Sequence, residues 1–258
     1  MARPYRERAF VVRRHDLGEA DRIIVLFTRG RGIVRAVAKG VRRAKSRFGS
    51  RLSPFVDVDV QLHPGRSLDL ITSADAVRTW AAPIVDDYAR YTAACAVLEV
   101  AERVAGEEGV PNPRLWDATA EALAALADDA DPLGPDLVVT RHVLVAMDAA
   151  GIAPSLFDCA GCGKPGPHHA FSPAVGGAVC VECRPPGAAT PDPEALHLMW
   201  LLQHGHVDAV ARGRDTIPGF GTLASEARGL AVDHLRHQLG RRVRALDLVD
   251  ARWGTMDA

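Results

Sequence analysis

Four of the five cysteines in this 258-residue chain form two Cys-x-x-Cys pairs, and this pattern constrains the fold more than any other feature. The pairs are Cys159 with Cys162 and Cys180 with Cys183, and 17 residues separate them. Two such pairs at this separation are typical of a tetrahedral structural zinc site. Because four thiolates fill the coordination sphere, no position remains for a catalytic water. The sequence therefore predicts one structural Zn²⁺.

The residues between the two pairs indicate why this segment would need a metal. Lys164 to Val179 is rich in glycine, proline and histidine and cannot build its own apolar core. We therefore expect the metal to organise it. Gly161 and Gly163 permit the tight turn of the first pair.

The start of the chain and its hydropathy bear on the compartment and on the state of the cysteines. The sequence contains no run of about 18 apolar residues, the length that would predict a transmembrane helix. We therefore expect no membrane partner. The polar segment 1–8 precedes only four apolar residues, too few for a signal peptide. We therefore expect a cytoplasmic protein with reduced cysteines. A redox pair would need a βαβ context, which the sequence lacks.

The net charge of −1 conceals a strong asymmetry along the chain. Residues 1–80 contain 17 Lys and Arg against 8 Asp and Glu, whereas the remainder contains 14 against 24. A basic surface is typical of a contact with a polyanion, although a solvated face that binds nothing would give the same count. The asymmetry predicts two regions with different partners.

The basic front of the chain has the pattern of a small β-barrel. Short β-branched or alternating runs are predicted as five strands, with a gap before the fourth. This arrangement suits an OB-fold, although periodicity alone does not separate it from an SH3-like barrel. The predicted strands are Ala9 to Arg14, Asp21 to Thr28, Ile33 to Lys39, Phe55 to Leu62 and Ser67 to Ile71.

A cationic segment, here called the basic loop (Lys39–Arg51), connects the third and fourth predicted strands. Six of its thirteen residues are basic and none is acidic. Flexible cations that follow a phosphate backbone, with the Phe48 ring free to stack on a base, would bind nucleic acid. Alternatively, the run is a solubilising loop and Phe48 plugs the end of the barrel.

The acidic remainder is predicted to be helical. One helix over 86–105 places Tyr88, Tyr91, Cys95, Leu98 and Ala101 on its apolar face. Further helices are predicted to begin at Asn112-Pro113 and Asp192-Pro193 and to cover 136–150 and about 222–240. The fold class is therefore α+β multidomain. An OB-fold (1–80) precedes an all-helical domain (81–154 and 187–250) with an inserted zinc-binding element (155–186).

Motifs for covalent chemistry are missing from the sequence. It contains no phosphate-binding P-loop, no nucleophile elbow and no His-Glu-x-x-His. Asp57 and Asp59 alternate on one strand, as expected for its solvated side. The prediction is a binding protein and not an enzyme. A zinc-ribbon and OB-fold module that binds RNA or acts in transcription is the alternative.

Several short runs, taken together, resemble the RecO family of bacterial recombination mediators. The resemblance covers about residues 5–245. It is carried by 9–14, 18–24 with Leu26-Phe27-Thr28, 37–43, Ser46-Arg47, 52–55, and the run 149–156 that leads into Cys159.

The resemblance implies an OB-fold, a helical domain and a zinc-binding insert. It also implies binding to single- and double-stranded DNA, annealing of complementary strands without ATP, and a cytoplasmic, nucleoid-associated location. The implied protein partners are RecR and the acidic C-terminal tail of single-stranded-DNA-binding protein (SSB), with RecA loaded indirectly.

Family pattern and charge agree on the residues expected to contact DNA: Arg35, Lys39, Arg42, Arg43, Lys45, Arg47, Phe48 and Arg51. Secondary candidates are the strand arginines Arg13, Arg14 and Arg22. The resemblance also implies that the SSB tail docks on the helical domain, where Arg141 could receive its terminal carboxylate. Arg103 and Arg114 are the rival positions.

Overall fold

The computed structural model describes residues 3–251, except for the side chains of residues 250 and 251. These residues form two compact units, which divide after Ala127. The first unit contains the barrel and three helices, and the second contains five helices and the four cysteines. The division falls later than residue 80, because the first helices pack on the barrel.

The first unit begins with a closed five-stranded barrel. Its strands are β1 (Tyr5–Leu17), β2 (Asp21–Thr28), β3 (Gly32–Ala38), β4 (Val56–His63) and β5 (Asp69–Thr79). The order around the barrel is β1-β2-β3-β5-β4, and β4 pairs back onto β1. All neighbours are antiparallel except β3 and β5, which meet in parallel at Ala36–Val37 and Asp69–Leu70. This is an OB-fold, as the sequence predicts.

Alternation along the strands explains the core of the barrel. Val56, Val58, Val60 and Leu62 of β4 all point inward and are almost fully buried. Ile24 and Leu26 of β2 and residues of the other strands complete this apolar interior. The apolar residues at every second position of β4 thus predict its inward face from the sequence alone.

The opposite face of β1–β3 is covered by helices of the same unit. These are α1 (Ala81–Val85), α2 (Tyr88–Ala105) and α3 (Pro113–Ala127). Phe10 of β1 stacks on Trp116 of α3 with ring centroids 4.7 Å apart. The carboxylate of Asp57 is buried on this side and pairs with Arg8. This carboxylate is therefore not the solvated group that strand alternation predicts.

Helix α2 begins close to where the sequence predicts, and Leu98 and Ala101 of its predicted apolar face are buried, but the first turn of that face is not. Asp87 caps it by accepting a 2.8 Å hydrogen bond from the Arg90 N–H. The buried side chains include Ala93, Val97 and Val100. Tyr88 and Tyr91, predicted to face inward, are instead 69% and 43% exposed.

The second unit is built from α4 (Gly134–Ala149), α5 (Pro193–Gln203), α6 (Val207–Thr216), α7 (Phe220–Leu239) and α8 (Arg244–Ala251). Helices α4, α5 and α7 pack on one another and form its apolar core. Asp192 caps α5 through a 2.9 Å hydrogen bond from the Glu194 N–H, as predicted. Among the described residues, no helix is long and apolar enough to cross a membrane.

The segment between α4 and α5 contains the cysteines and is here called the cysteine insert (155–186). Its only described regular structure is a hairpin of β6 (Ala170–Ser172) and β7 (Gly177–Val179). Ser155, at its start, pairs with Gly177, and Ala189, just past its end, pairs with Phe171. Both ends of the insert are therefore hydrogen-bonded to its own hairpin.

Candidate metal centre and nucleic-acid interface

The four predicted metal ligands meet at one point of the cysteine insert. The sulfur atoms of Cys159, Cys162, Cys180 and Cys183 all lie within 4.8 Å of one another. The Cys162 and Cys180 sulfurs are 3.8 Å apart. A tetrahedral ion with Zn–S bonds of about 2.3 Å would separate its sulfurs by about 3.8 Å. The donor set and its spacing therefore fit one tetrahedral metal ion.

Local backbone structure brings each pair of cysteines to the centre. The N–H of Gly163 donates to the Cys159 carbonyl at 2.8 Å and closes the first turn, and Gly163 has a φ of 72°. A Cβ at Gly161 would lie 3.0 Å from the Cβ and 3.1 Å from the sulfur of Cys183. Only glycine at position 161 leaves the second pair this close to the first.

The environment already favours a thiolate at one of the four sulfurs. The backbone N–H of Cys180 donates to the Cys159 sulfur at 3.3 Å and helps lower the pKa of Cys159 to about 6. Hydrogen bonds with the Cys162 and Cys180 side chains raise the pKa of Cys183 to about 12. A cation at the centre would allow all four to ionise, because it compensates their mutual repulsion.

The basic loop is fixed to the barrel at both ends. At its start, the Gly40 N–H donates to Asp21 at 2.7 Å and the Arg42 N–H donates to the Ala20 carbonyl at 3.0 Å. Arg42 also reaches the Gly18 carbonyl at 3.2 Å and Asp16 at 3.4 Å. Arg42 thus holds the loop in place as well as adding charge to it.

Phe48 fixes the other end, and its position corrects the prediction that this ring stacks on bases. It is 1% exposed and belongs to the apolar core of the barrel. The Arg47 guanidinium lies over the ring, 4.8 Å from its centroid. A ring in this position cannot reach a nucleic acid, because it is buried among apolar side chains. Its neighbours in the sequence are cations, but the ring itself packs in the core.

The remaining cations of the basic loop point into solvent. Lys39, Arg43, Lys45, Arg47 and Arg51 are all exposed. In the described part of the chain none of them has an ion pair with a carboxylate. Arg51 donates to the Arg47 carbonyl at 2.9 Å, which keeps these two residues together.

The strand arginines proposed from the sequence have acidic neighbours instead. Arg35 pairs with Glu108 at 2.7 Å, Arg13 with Glu102 at 2.7 Å, and Arg22 with Asp16 at 2.8 Å. Burial lowers the pKa of Arg14, which is also close enough to Tyr91 and Asp16 for electrostatic interaction. The predicted set thus divides into two groups. Arg13, Arg22, Arg35 and Arg42 pair with carboxylates, whereas the other loop cations have no such ion pair in the described part of the chain.

Arg141, the predicted contact for an acidic tail, lies on α4 and is half-buried in the second unit. The rival positions, Arg103 on α2 and Arg114 on α3, are in the first unit. Arg103 pairs with Glu99 on its own helix at 3.3 Å.

Comparison with known protein families gives two matches, which together span nearly the whole chain. Residues 1–80 match the family described as "Recombination protein O N terminal". Residues 85–247 match the family described as "Recombination protein O C terminal". The boundary between the matches falls just after β5, where the barrel ends.

Proposed function

Since the chain belongs to the recombination protein O family of DNA repair and recombination mediators, we propose that it binds DNA through the basic loop and anneals complementary strands. The observation that carries this proposal is the set of exposed loop cations without carboxylate partners. The backbone of this loop is anchored at both ends, so phosphate binding does not have to order it.

Annealing by this route needs no chemistry on covalent bonds. Two single strands repel each other through their phosphates, and a cationic surface that neutralises both raises the rate at which complementary segments meet. Base pairing then supplies the favourable free energy. This is why we propose that the reaction proceeds without ATP.

We assign Zn²⁺ as the metal of the four-cysteine centre. Cys159, Cys162, Cys180 and Cys183 would hold it, and a closed shell of four thiolates gives the ion a structural function. The ion would brace the cysteine insert, and the DNA surface would lie on the barrel.

The proposal extends to protein partners through family membership. We propose that RecR and the acidic tail of SSB bind this protein, and that together they help to load RecA onto SSB-coated strands. Arg141 is our candidate for the residue that receives the terminal carboxylate of the tail. Replacing Arg141 by Ala should weaken binding of the tail peptide, whereas Arg103→Ala and Arg114→Ala should not.

The test is an annealing assay with the full chain, two complementary labelled oligonucleotides and no ATP. The informative variant carries Ala at Arg43, Lys45 and Arg47, leaving Arg42 to anchor the loop. The matched control carries Ala at Arg6, Arg29 and Arg31. These three arginines have carboxylate partners at 3.2, 3.0 and 3.5 Å and lie outside the loop.

We expect the wild type and the control to accelerate annealing, and the loop variant to lose most of that acceleration. Equal losses in both variants would show that total charge matters and not the loop. If the wild type accelerates annealing of RNA but not of DNA, the RNA-binding alternative replaces this proposal.

A further inference from the structure

Tyr91 of the first unit is an exposed aromatic ring that packs on a buried one. Tyr91 on α2 is 43% exposed, whereas Phe55 is buried. The Tyr91 ring meets that of Phe55 edge to face, with centroids 5.7 Å apart and planes at 85°. An exposed ring that already packs on a buried side chain loses less freedom when a ligand stacks on it.

Phe55 connects Tyr91 with the basic loop. It packs against the Tyr91 ring and lies four residues after Arg51, the last cation of the loop. Arg14 of β1 is within electrostatic range of both Tyr91 and Asp16, and Asp16 pairs with Arg42. The ring is therefore held by a residue that closely follows the loop assigned to phosphates.

We propose that Tyr91 stacks on an unpaired base of single-stranded DNA whose phosphates lie on the basic loop. The inference rests on the proposed function and deepens it, because it assigns the stacking ring that Phe48 does not supply. Base–aromatic stacking tolerates any sequence, since every base has a π face. The site thus contributes affinity for single strands without sequence preference.

Tyr88, one turn earlier on the same helix, provides a matched control. Its ring is more exposed, at 69%. It follows directly after Asp86 and Asp87, both exposed carboxylates that repel phosphates. Charge complementarity therefore favours Tyr91 over Tyr88 as the base contact.

The experiment measures equilibrium binding of three labelled oligonucleotides to the full-length chain by fluorescence anisotropy. The ligands are a thymine single strand, a single strand of the same length in which every base is absent, and a duplex. The variants are Tyr91→Ala, Tyr91→Phe and Tyr88→Ala, each first checked for an unchanged melting temperature.

We expect Tyr91→Ala to weaken binding of the thymine strand about fivefold or more, the lower end of the range for one stacked base. Binding of the abasic strand and of the duplex should change less than twofold. Tyr91→Phe should bind like the wild type, because the ring remains, and Tyr88→Ala should change little.

Three results would overturn the inference: no loss on the thymine strand, an equal loss on the abasic strand, or an equal loss in Tyr88→Ala. A wild-type protein that binds none of the three ligands would overturn the proposed function itself. The salt dependence of thymine-strand binding adds a further readout. It should be the same for Tyr91→Ala and the wild type, since no phosphate contact is removed.

Discussion

The barrel and the cysteine insert reach an ordered structure by different means. Fourteen buried apolar residues fill the barrel, including Phe48 and the inward face of β4. The corresponding cluster in the insert has four buried members, two of which are cysteines. Hydrophobic burial can stabilise the first, whereas the second buries too little apolar surface to offset its conformational entropy. We therefore expect stability to come from solvent exclusion in the barrel and from metal binding in the cysteine insert.

Removing the metal should produce the largest difference between the two regions, because the insert should lose its structure and the barrel should not. We expect the freshly purified protein to contain about one zinc per chain, and a chelator to release it with loss of structure in 155–186. Metal binding of this type supplies about 10–16 kcal/mol in zinc-finger peptides, far more than the insert's apolar contacts. Hydrogen exchange of the two regions, measured before and after chelation, is the test.

Cys159→Ser removes one of the four metal ligands and should have the same effect as a chelator. The backbone amides of 155–186 should lose their protection from hydrogen exchange. The barrel amides serve as the internal control and should keep their protection. Protein that contains no metal but still protects 155–186 would contradict the comparison.

Truncating Phe48 should have the converse effect. Phe48→Ala removes a fully buried ring from the barrel and should lower its free energy of unfolding by about 3–5 kcal/mol. The zinc content should not change, because the ring belongs to the core of the barrel and the four cysteines belong to the other unit. Denaturant unfolding followed in parallel with metal analysis would check this. A variant of wild-type stability would mean that the ring is not part of the core.

The two regions also differ in how far the sequence predicts them. The two Cys-x-x-Cys pairs predict that the four sulfur atoms lie close together, because one tetrahedral ion needs all four as ligands. The inward face of β4 follows from strict alternation. Of the two interpretations of Phe48, the plug at the barrel end is the correct one. The sequence does not distinguish them, because a ring between cations has the same local pattern whether it stacks on a base or plugs a barrel.

Helices proved less predictable than strands for a physical reason. The helical pattern at Tyr88 and Tyr91 is consistent with an inward face, but both rings are exposed and the buried face of α2 includes Ala93 and Val97. Helices α1, α6 and α8 are short, and too few apolar positions repeat along them to identify a buried face. The ion pairs of Arg13 with Glu102 and of Arg35 with Glu108 depend on tertiary packing, which no local pattern records.

Removing loop charge should change binding by the barrel without changing its stability. If about five phosphates are contacted, wild-type affinity for single strands should fall on the order of a hundredfold between about 50 and 200 mM salt. Ala at Arg43, Lys45 and Arg47 should make the slope of log K against log salt shallower by about 2. Titrations at several salt concentrations test this, with the Arg6, Arg29 and Arg31 variant as control. An unchanged slope would place the phosphates elsewhere.

The smallest effect concerns the attachment of the insert to α7. His234 is fully buried there, donates a 3.0 Å hydrogen bond from Nε2 to the Ile152 carbonyl, and meets the Phe171 ring edge-on. Burial lowers its pKa below the ordinary 6.5. Below about pH 6.5 the unfolded chain therefore binds a proton that the folded chain does not. The stability due to neutral His234 is complete above this pH and declines below it.

We expect the second unit to lose up to about 1.4 kcal/mol per pH unit through this group as the pH falls below 6.5. His234→Gln keeps a donor for Ile152 but does not titrate, so its stability should fall less steeply. Urea unfolding of both proteins between about pH 7 and 5 gives the comparison. Parallel curves would show that His234 is already protonated in the folded chain or is reached by solvent.

The paired ends of the cysteine insert have a consequence for how such a chain can evolve. Ser155, β7, β6 and Ala189 lie side by side as neighbouring strands, so the two ends are about 14 Å apart. A bridge of about five residues would span that gap. One in-frame deletion could therefore remove the four-cysteine centre in a single genetic event and still leave α4 and α5 connected. For a lineage short of zinc, the proposed requirement for the metal would be confined to a removable module and would not extend to the whole gene.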